Sequence, residues 1–201
     1  PTCGLEINFR RIKDNPKIKV FTQAEVEKVD GTPGNYDVSV KLSPRYVNEN
    51  CTCCGDCAEV CEAEISSEFN FGMNTIKGAY LPFEMAFPAR YVVSSQIIGT
   101  DDGKRCKDAC KYDAVDLDMQ AETTNLKVGA IVWATGWEPY DAAKIDNLGF
   151  GQYPNIITNM MMERLAAPNG PTKGKITRPS DNKEPESIAF VQCAGSRDEN
   201  Y

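Results

Sequence analysis

Four cysteines in the pattern Cys51-x2-Cys54-x2-Cys57-x3-Cys61 constrain this chain more than any other feature of its sequence. Two-residue spacers let one tight loop present three sulfurs to a common centre, with its backbone N–H groups turned the same way. Gly55 inside the loop permits close backbone approach. This is the ligand pattern of a [4Fe–4S] cubane. A structural zinc, which also takes four cysteines, and inert buried thiols are the competing readings. Cys53 lies between ligand positions and is expected to be a bystander.

The fourth cysteine of such a run ordinarily serves a second cluster, whose own run returns one ligand to the first. Here the second run is degenerate. Cys106-x3-Cys110 supplies its last two positions, while Thr100 and Gly103 stand where the first two cysteines would be. The expected ligand set is therefore Cys51, Cys54, Cys57 and Cys110 around one cubane. Cys61 and Cys106 are the less favoured ligands, left beside an emptied second site. The proline that usually follows the fourth cysteine is replaced by Glu62 in one half and Lys111 in the other.

Composition narrows the chemistry. The chain of 201 residues has nine Cys and no His, so imidazole catalysis and His-ligated zinc or haem are excluded. An odd number of clustered thiols without a secretion signal points to cytosolic metal binding rather than a disulfide framework. Net charge −7 argues against a nucleic-acid partner. The acidic residues Glu59, Glu62, Glu64, Asp101 and Asp102 read first as a solvated face, and second as a dock for a basic partner. No apolar run approaches the ~20 residues of a membrane-spanning helix. Cys3 and Cys193 stand alone, each a small buried hydrophobe, a redox thiol, or a ligand whose partners lie outside this piece. The start at Pro1, and the stop soon after an apolar run, lead us to expect an internal piece of a longer polypeptide.

Along the chain, residues 5–12 read as a short helix ended by Asp14-Asn15-Pro16. Residues 17–21, 24–30 and 36–42 read as an antiparallel meander, with a turn at Gly31-Thr32-Pro33-Gly34-Asn35. An aromatic- and Pro-rich stretch between Cys61 and Cys106 reads as an ordered loop, and residues 112–117 as a strand. Residues 127–136 read as a buried strand whose small end, Ala134-Thr135-Gly136, lets the backbone approach a cofactor. Residues 155–165 read as a helix, 168–187 as a surface loop, and 188–195 as a second buried strand. No Gly-x-Gly-x-x-Gly fingerprint occurs.

Several stretches together resemble the A-subunit family of heterodisulfide reductases. They are Pro44-Arg45-Tyr46-Val47, the Cys51–Cys61 run, residues 128–136, Gly151-Gln152-Tyr153-Pro154-Asn155, Arg178-Pro179-Ser180-Asp181 and residues 190–198. Pro1-Thr2-Cys3-Gly4-Leu5-Glu6-Ile7-Asn8 and Asn159-Met160-Met161-Met162-Glu163-Arg164 resemble its quinone-modifying (quinone-interacting, membrane-bound) oxidoreductase branch in sulfate reducers. The resemblance implies an α/β fold with an α+β insert: part of a thioredoxin-reductase-like, FAD/NAD-linked flavoprotein carrying a ferredoxin-like insert. Residues 1–46 would belong to the flavoprotein domain and 47–120 to the iron–sulfur insert. Residues 121–201 would return to the flavoprotein and begin a second dinucleotide-binding region. It also implies FAD near Ala134, Thr135 and Gly136. The protein would be cytoplasmic, membrane-associated through partner subunits, linking the quinone pool to adenylylsulfate reductase. A stand-alone ferredoxin-like electron carrier and a zinc-stabilised interaction module are the alternatives.

Overall fold

A computed structural model describes residues 5–192. The chain divides into two units: residues up to Ile65 with Thr75–Gly136, and Ser66–Asn74 with the residues from Trp137 onward.

The first unit begins with helix α1 (Leu5–Lys13) and a hairpin of β1 (Ala24–Thr32) and β2 (Asn35–Leu42). Val26 and Val29 are three apart, which in a regular strand would place them on opposite faces. A bulge between Val26 and Lys28 takes up the extra residue, so Val26 pairs Val40 and Val29 pairs Val38. Val38 and Val40 are thereby buried on one face of the sheet. The other face is polar, with Ser39 Oγ donating to Asn125 Oδ1 at 2.7 Å and Lys127 pairing with Asp37 at 3.4 Å.

The third strand is not residues 17–21, which form no strand. It is β7 (Glu122–Val128), antiparallel to β2 in a register running from Tyr36↔Val128 to Leu42↔Glu122. The chain thus leaves the sheet at Leu42 and re-enters it directly opposite. Short range could not show this, because the partner lies beyond an excursion over residues 43–121.

Within the excursion come α2 (Asp56–Val60), β3 (Glu64–Ser66) and β4 (Thr75–Lys77), which pair with each other, and β5 (Ala79–Tyr80), antiparallel to β6 (Val92–Val93). A 3-10 turn at Ser95–Ile97 and α3 (Asp101–Asp108) follow. The two ends of the excursion are tied together. Val47 bridges Val115, the Asn48 N–H donates to Ala114 O at 2.8 Å, and the Asp116 N–H donates to Tyr46 O at 3.0 Å. Residues 112–117 therefore contribute one bridge rather than a full strand. The core between α2 and α3 is Val47, Cys61, Val93, Ile97, Cys106 and Val115.

In the second unit α4 (Asn159–Ala166) starts later than the apolar pattern implies, because extended Thr158 caps it, its hydroxyl accepting from Met161 N–H at 3.3 Å. Arg164 reaches back from α4. Its Nε donates to Asn70 Oδ1 at 2.9 Å, and its guanidinium lies 4.5 Å from the Phe69 ring centroid.

Residues 129–136 differ from expectation. They are not a strand, and Val132 is 87% exposed. A buried strand needs a ladder partner, and among the described residues no ladder follows this run beyond the Gly34 N–H that donates to Gly129 O at 3.0 Å. Residues 188–192 behave the same way, with Phe190 and Val191 exposed. Residues 193–195 and Cys3 lie outside the described residues.

Gly103 gives a test of the packing around α3. A Cβ there would meet the Ile97 carbonyl oxygen at 2.5 Å. Helix propensity alone favours Ala over Gly by about 1 kcal/mol, but overpacking costs about 1–3 kcal/mol. Gly103→Ala should therefore lower the thermal midpoint. A raised midpoint would show that Ile97 yields freely.

Candidate metal centre

Cys51, Cys54, Cys57 and Cys110 all line one partly open cavity, together with Val47, Gly55, Asp56, Tyr91, Tyr112 and Val115. Three of the thiols come from one stretch, and the fourth arrives from the far side of α3. The loop is shaped by Gly55, which sits in the left-handed region at φ 92° as the N-cap of α2, and by Cys53 at φ 58°. Cys57 follows in the first turn of α2. Cys110 lies just beyond α3, and its Sγ accepts the Ala114 N–H at 3.2 Å. The Tyr46–Val47 and Ala114–Asp116 ties hold this segment against the loop. Cys53 is not among the cavity-lining residues.

Among the described residues no three Cys, Asp or Glu side chains converge as a single ion requires. Tetrahedral zinc needs every sulfur about 2.3 Å from one centre, whereas a cubane distributes its thiolates over four corners. Asp56 also lines the cavity but is paired with Lys111 at 3.1 Å, so the donors left are the four cysteines, a set that fits the cluster.

Charge at the site follows burial. Burial pushes the Cys57 thiol up to about 11, with the neighbouring Cys51 adding to it. Cys53 is also raised, first by burial and then by Cys51. Arg45 stands near Cys51; burial and then Arg90 lower its pKa, while Cys51 and Tyr80 oppose that shift. A metal bound at Cys57 would have to displace a proton that this thiol otherwise holds firmly.

Cys61 and Cys106 sit elsewhere. Both are 0% exposed, inside the core between α2 and α3. Cys106 Sγ donates to Cys57 O at 3.3 Å, and burial followed by the neighbouring Cys61 drives its pKa up to about 12. The expected vacancy beside them is closed. Thr100 has become the N-cap of α3, its hydroxyl donating to Ile97 O at 2.7 Å. Gly103 is packed against Ile97 O, and Ile97 covers Gly78 next to Cys61 Sγ. Helix and isoleucine stand where a second cluster loop would need open backbone and space.

The two residues in the place of the usual prolines form a crossed pair of ion pairs. Glu62 meets Arg105 of α3 at 3.1 Å, and Lys111 meets Asp56 of α2 at 3.1 Å. Glu62 and Lys111 are largely exposed, so solvent screens both pairs and they contribute little to stability. Asp102 does more locally: its Oδ1 accepts the Glu62 N–H at 2.8 Å, and Arg105 holds its carboxyl below the usual range.

Ala134, Thr135 and Gly136 are exposed, and nothing lies within 4 Å of a Cβ built on Gly136. Tyr91 and Tyr112 were not marked by any motif; the aromatic stretch after Cys61 was the one sequence signal near Tyr91.

Two half-motifs thus bring four cysteines to the lining of one cavity. No family model matches the chain. Among curated proteins it is 44% identical over 188 residues to the iron-sulfur A-subunit 1 of the Methanopyrus kandleri CoB–CoM heterodisulfide reductase, covering 93% of this chain and 28% of that protein. It is 41% identical over 203 residues to the corresponding iron-sulfur A-subunit of Methanocaldococcus jannaschii, covering 98% and 30%. It is 35% identical over 227 residues to the A-subunit of the Methanosarcina acetivorans ferredoxin:CoB-CoM heterodisulfide reductase, covering 98% and 28%. Over the residues it spans, the chain belongs to the A-subunit family of heterodisulfide reductases. It spans less than a third of the length of these relatives. Among the described residues no helix is long and apolar enough to cross a membrane.

The buried thiols predict a pH dependence for the iron-free protein. Cys57 and Cys106 ionise near 11 and 12 in the fold, against an ordinary 9.0. Below pH 9 both folded and unfolded chains keep these protons and stability is unaffected. Above it the unfolded chain loses them first, so stability falls as pH rises from 9 towards 12. Thermal midpoints measured across that range should decline, and less steeply in Cys106→Ala. A flat profile would contradict the assigned burial.

Proposed function

We propose that Cys51, Cys54, Cys57 and Cys110 hold one [4Fe–4S] cluster and that the chain is an electron-transfer part of a heterodisulfide reductase-type oxidoreductase. The observation that carries this is the shared cavity: four thiols from two separate segments line it, while Cys61 and Cys106 are sealed in the core. Independent support comes from the name "iron-sulfur subunit", which is borne by the relatives from Methanopyrus kandleri, at 44% identity, and Methanocaldococcus jannaschii, at 41%.

When bound, such a cluster supplies one-electron transfer. This chain's own residues do the rest. Gly55 brings the loop backbone close, Val47 and Val115 wall the cavity from solvent, and the Ala114 N–H steadies the Cys110 sulfur.

The finer reading adds FAD near Ala134, Thr135 and Gly136, converting two-electron to one-electron chemistry. It places the protein in a cytoplasmic, membrane-associated complex between the quinone pool and adenylylsulfate reductase. These elements rest on the resemblance of the sequence stretches to the quinone-interacting branch. The relatives' own names point instead to CoB–CoM heterodisulfide as the substrate of those proteins.

Anaerobic loading of the chain should yield about four iron atoms and four sulfides per chain, and Cys54→Ala should lose most of that iron. Iron near zero in the unaltered chain, or iron untouched in Cys54→Ala, would overturn the assignment. The absorbance spectrum separates the cofactors: flavin bands over a broad charge-transfer shoulder mark both, the shoulder alone a ferredoxin-like carrier, and a colourless protein a zinc module.

A further inference from the structure

Tyr91 lines the four-cysteine cavity although no motif marks it. Its backbone is placed by the start of β6, where the neighbouring Val93 N–H donates to Arg45 O at 3.2 Å. Its ring packs against the core. Its hydroxyl reaches over the cysteine loop, with Oη 3.3 Å from the point a Cβ on Gly55 would occupy. Gly55 thus serves twice: it turns the loop through the left-handed region and leaves the gap the phenol fills. Among the described residues no hydrogen-bond partner of this hydroxyl is found; it shares the cavity with the four cysteines, with Thr52 and Tyr112, and with the Asp56 carboxylate, which Lys111 already pairs at 3.1 Å. Tyr112 lines the same cavity but is 48% exposed, so water can satisfy its hydroxyl.

We propose that Tyr91 Oη donates a hydrogen bond to the sulfurs of the four-cysteine centre and raises its reduction potential. The proposal rests on the cluster assignment above. A donor aimed at sulfur stabilises the more negative, reduced state more than the oxidised one, because a hydrogen bond strengthens with the charge on its acceptor. The same bond ties the 91–93 segment to the loop that carries three of the four ligands.

The test is a redox titration of the cluster-loaded full chain, followed by its paramagnetic signal. Tyr91→Phe keeps the ring and removes the donor. It should retain full iron and sulfide content while its reduction equilibrium constant falls at least about threefold, a shift of about 28 mV to lower potential at 59 mV per decade. Tyr112→Phe should shift less than that. Should Tyr91→Phe fail to assemble its cluster, 3-fluorotyrosine at position 91, a stronger donor of nearly the same shape, should move the potential upward. An intact cluster whose potential ignores the change at position 91 overturns the role of Tyr91 alone. A chain that binds no cluster in any form overturns the four-cysteine assignment, and the role of Tyr91 with it.

Discussion

The candidate site depends on one backbone contact between distant segments. Tyr46–Val47 and Ala114–Asp116 lie at opposite ends of the excursion, and their ladder hydrogen bonds draw Cys110 onto the loop of Cys51, Cys54 and Cys57. Without that contact the loop would hold three thiols and the cavity would lack a wall. The contact in turn depends on β2 and β7 being neighbours in the sheet, since Leu42 opposite Glu122 returns the chain to where it left. Sheet register, segment closure and ligand convergence are thus one chain of cause.

The same geometry explains why two of the six patterned cysteines are out of reach. In a symmetric two-cluster arrangement Thr100 and Gly103 would be ligands. Here Thr100 caps a helix and Gly103 lies under the Ile97 carbonyl. Losing two ligands would by itself leave a polar cavity. Ile97 and the wall of α3 fill it, and Cys61 and Cys106 remain as small apolar side chains in a tight core. The protonated state that burial enforces on Cys106 suits packing and opposes metal binding.

What the sequence made legible was local. The Cys spacing named four residues that share one cavity, and the Val38–Val40 alternation and the Pro33-Gly34 turn marked the hairpin. The third strand was misplaced at residues 17–21 because strand pairing across a long excursion leaves no local trace. Residues 129–136 and 188–192 carry strand-like composition, yet a ladder needs neighbours, and composition does not say where they are. Tyr91 escaped notice because its relation to Gly55 is purely spatial.

The central claim is that a ligand crosses from the second half to complete the first, and that its neighbour in the pattern does not. The most direct test compares bound iron and acid-labile sulfide in Cys110→Ala and Cys106→Ala after anaerobic loading of the full chain. The account predicts that Cys110→Ala loses the cluster while Cys106→Ala keeps it. A cluster that survives Cys110→Ala, or is lost with Cys106→Ala in a chain that still folds, would contradict it.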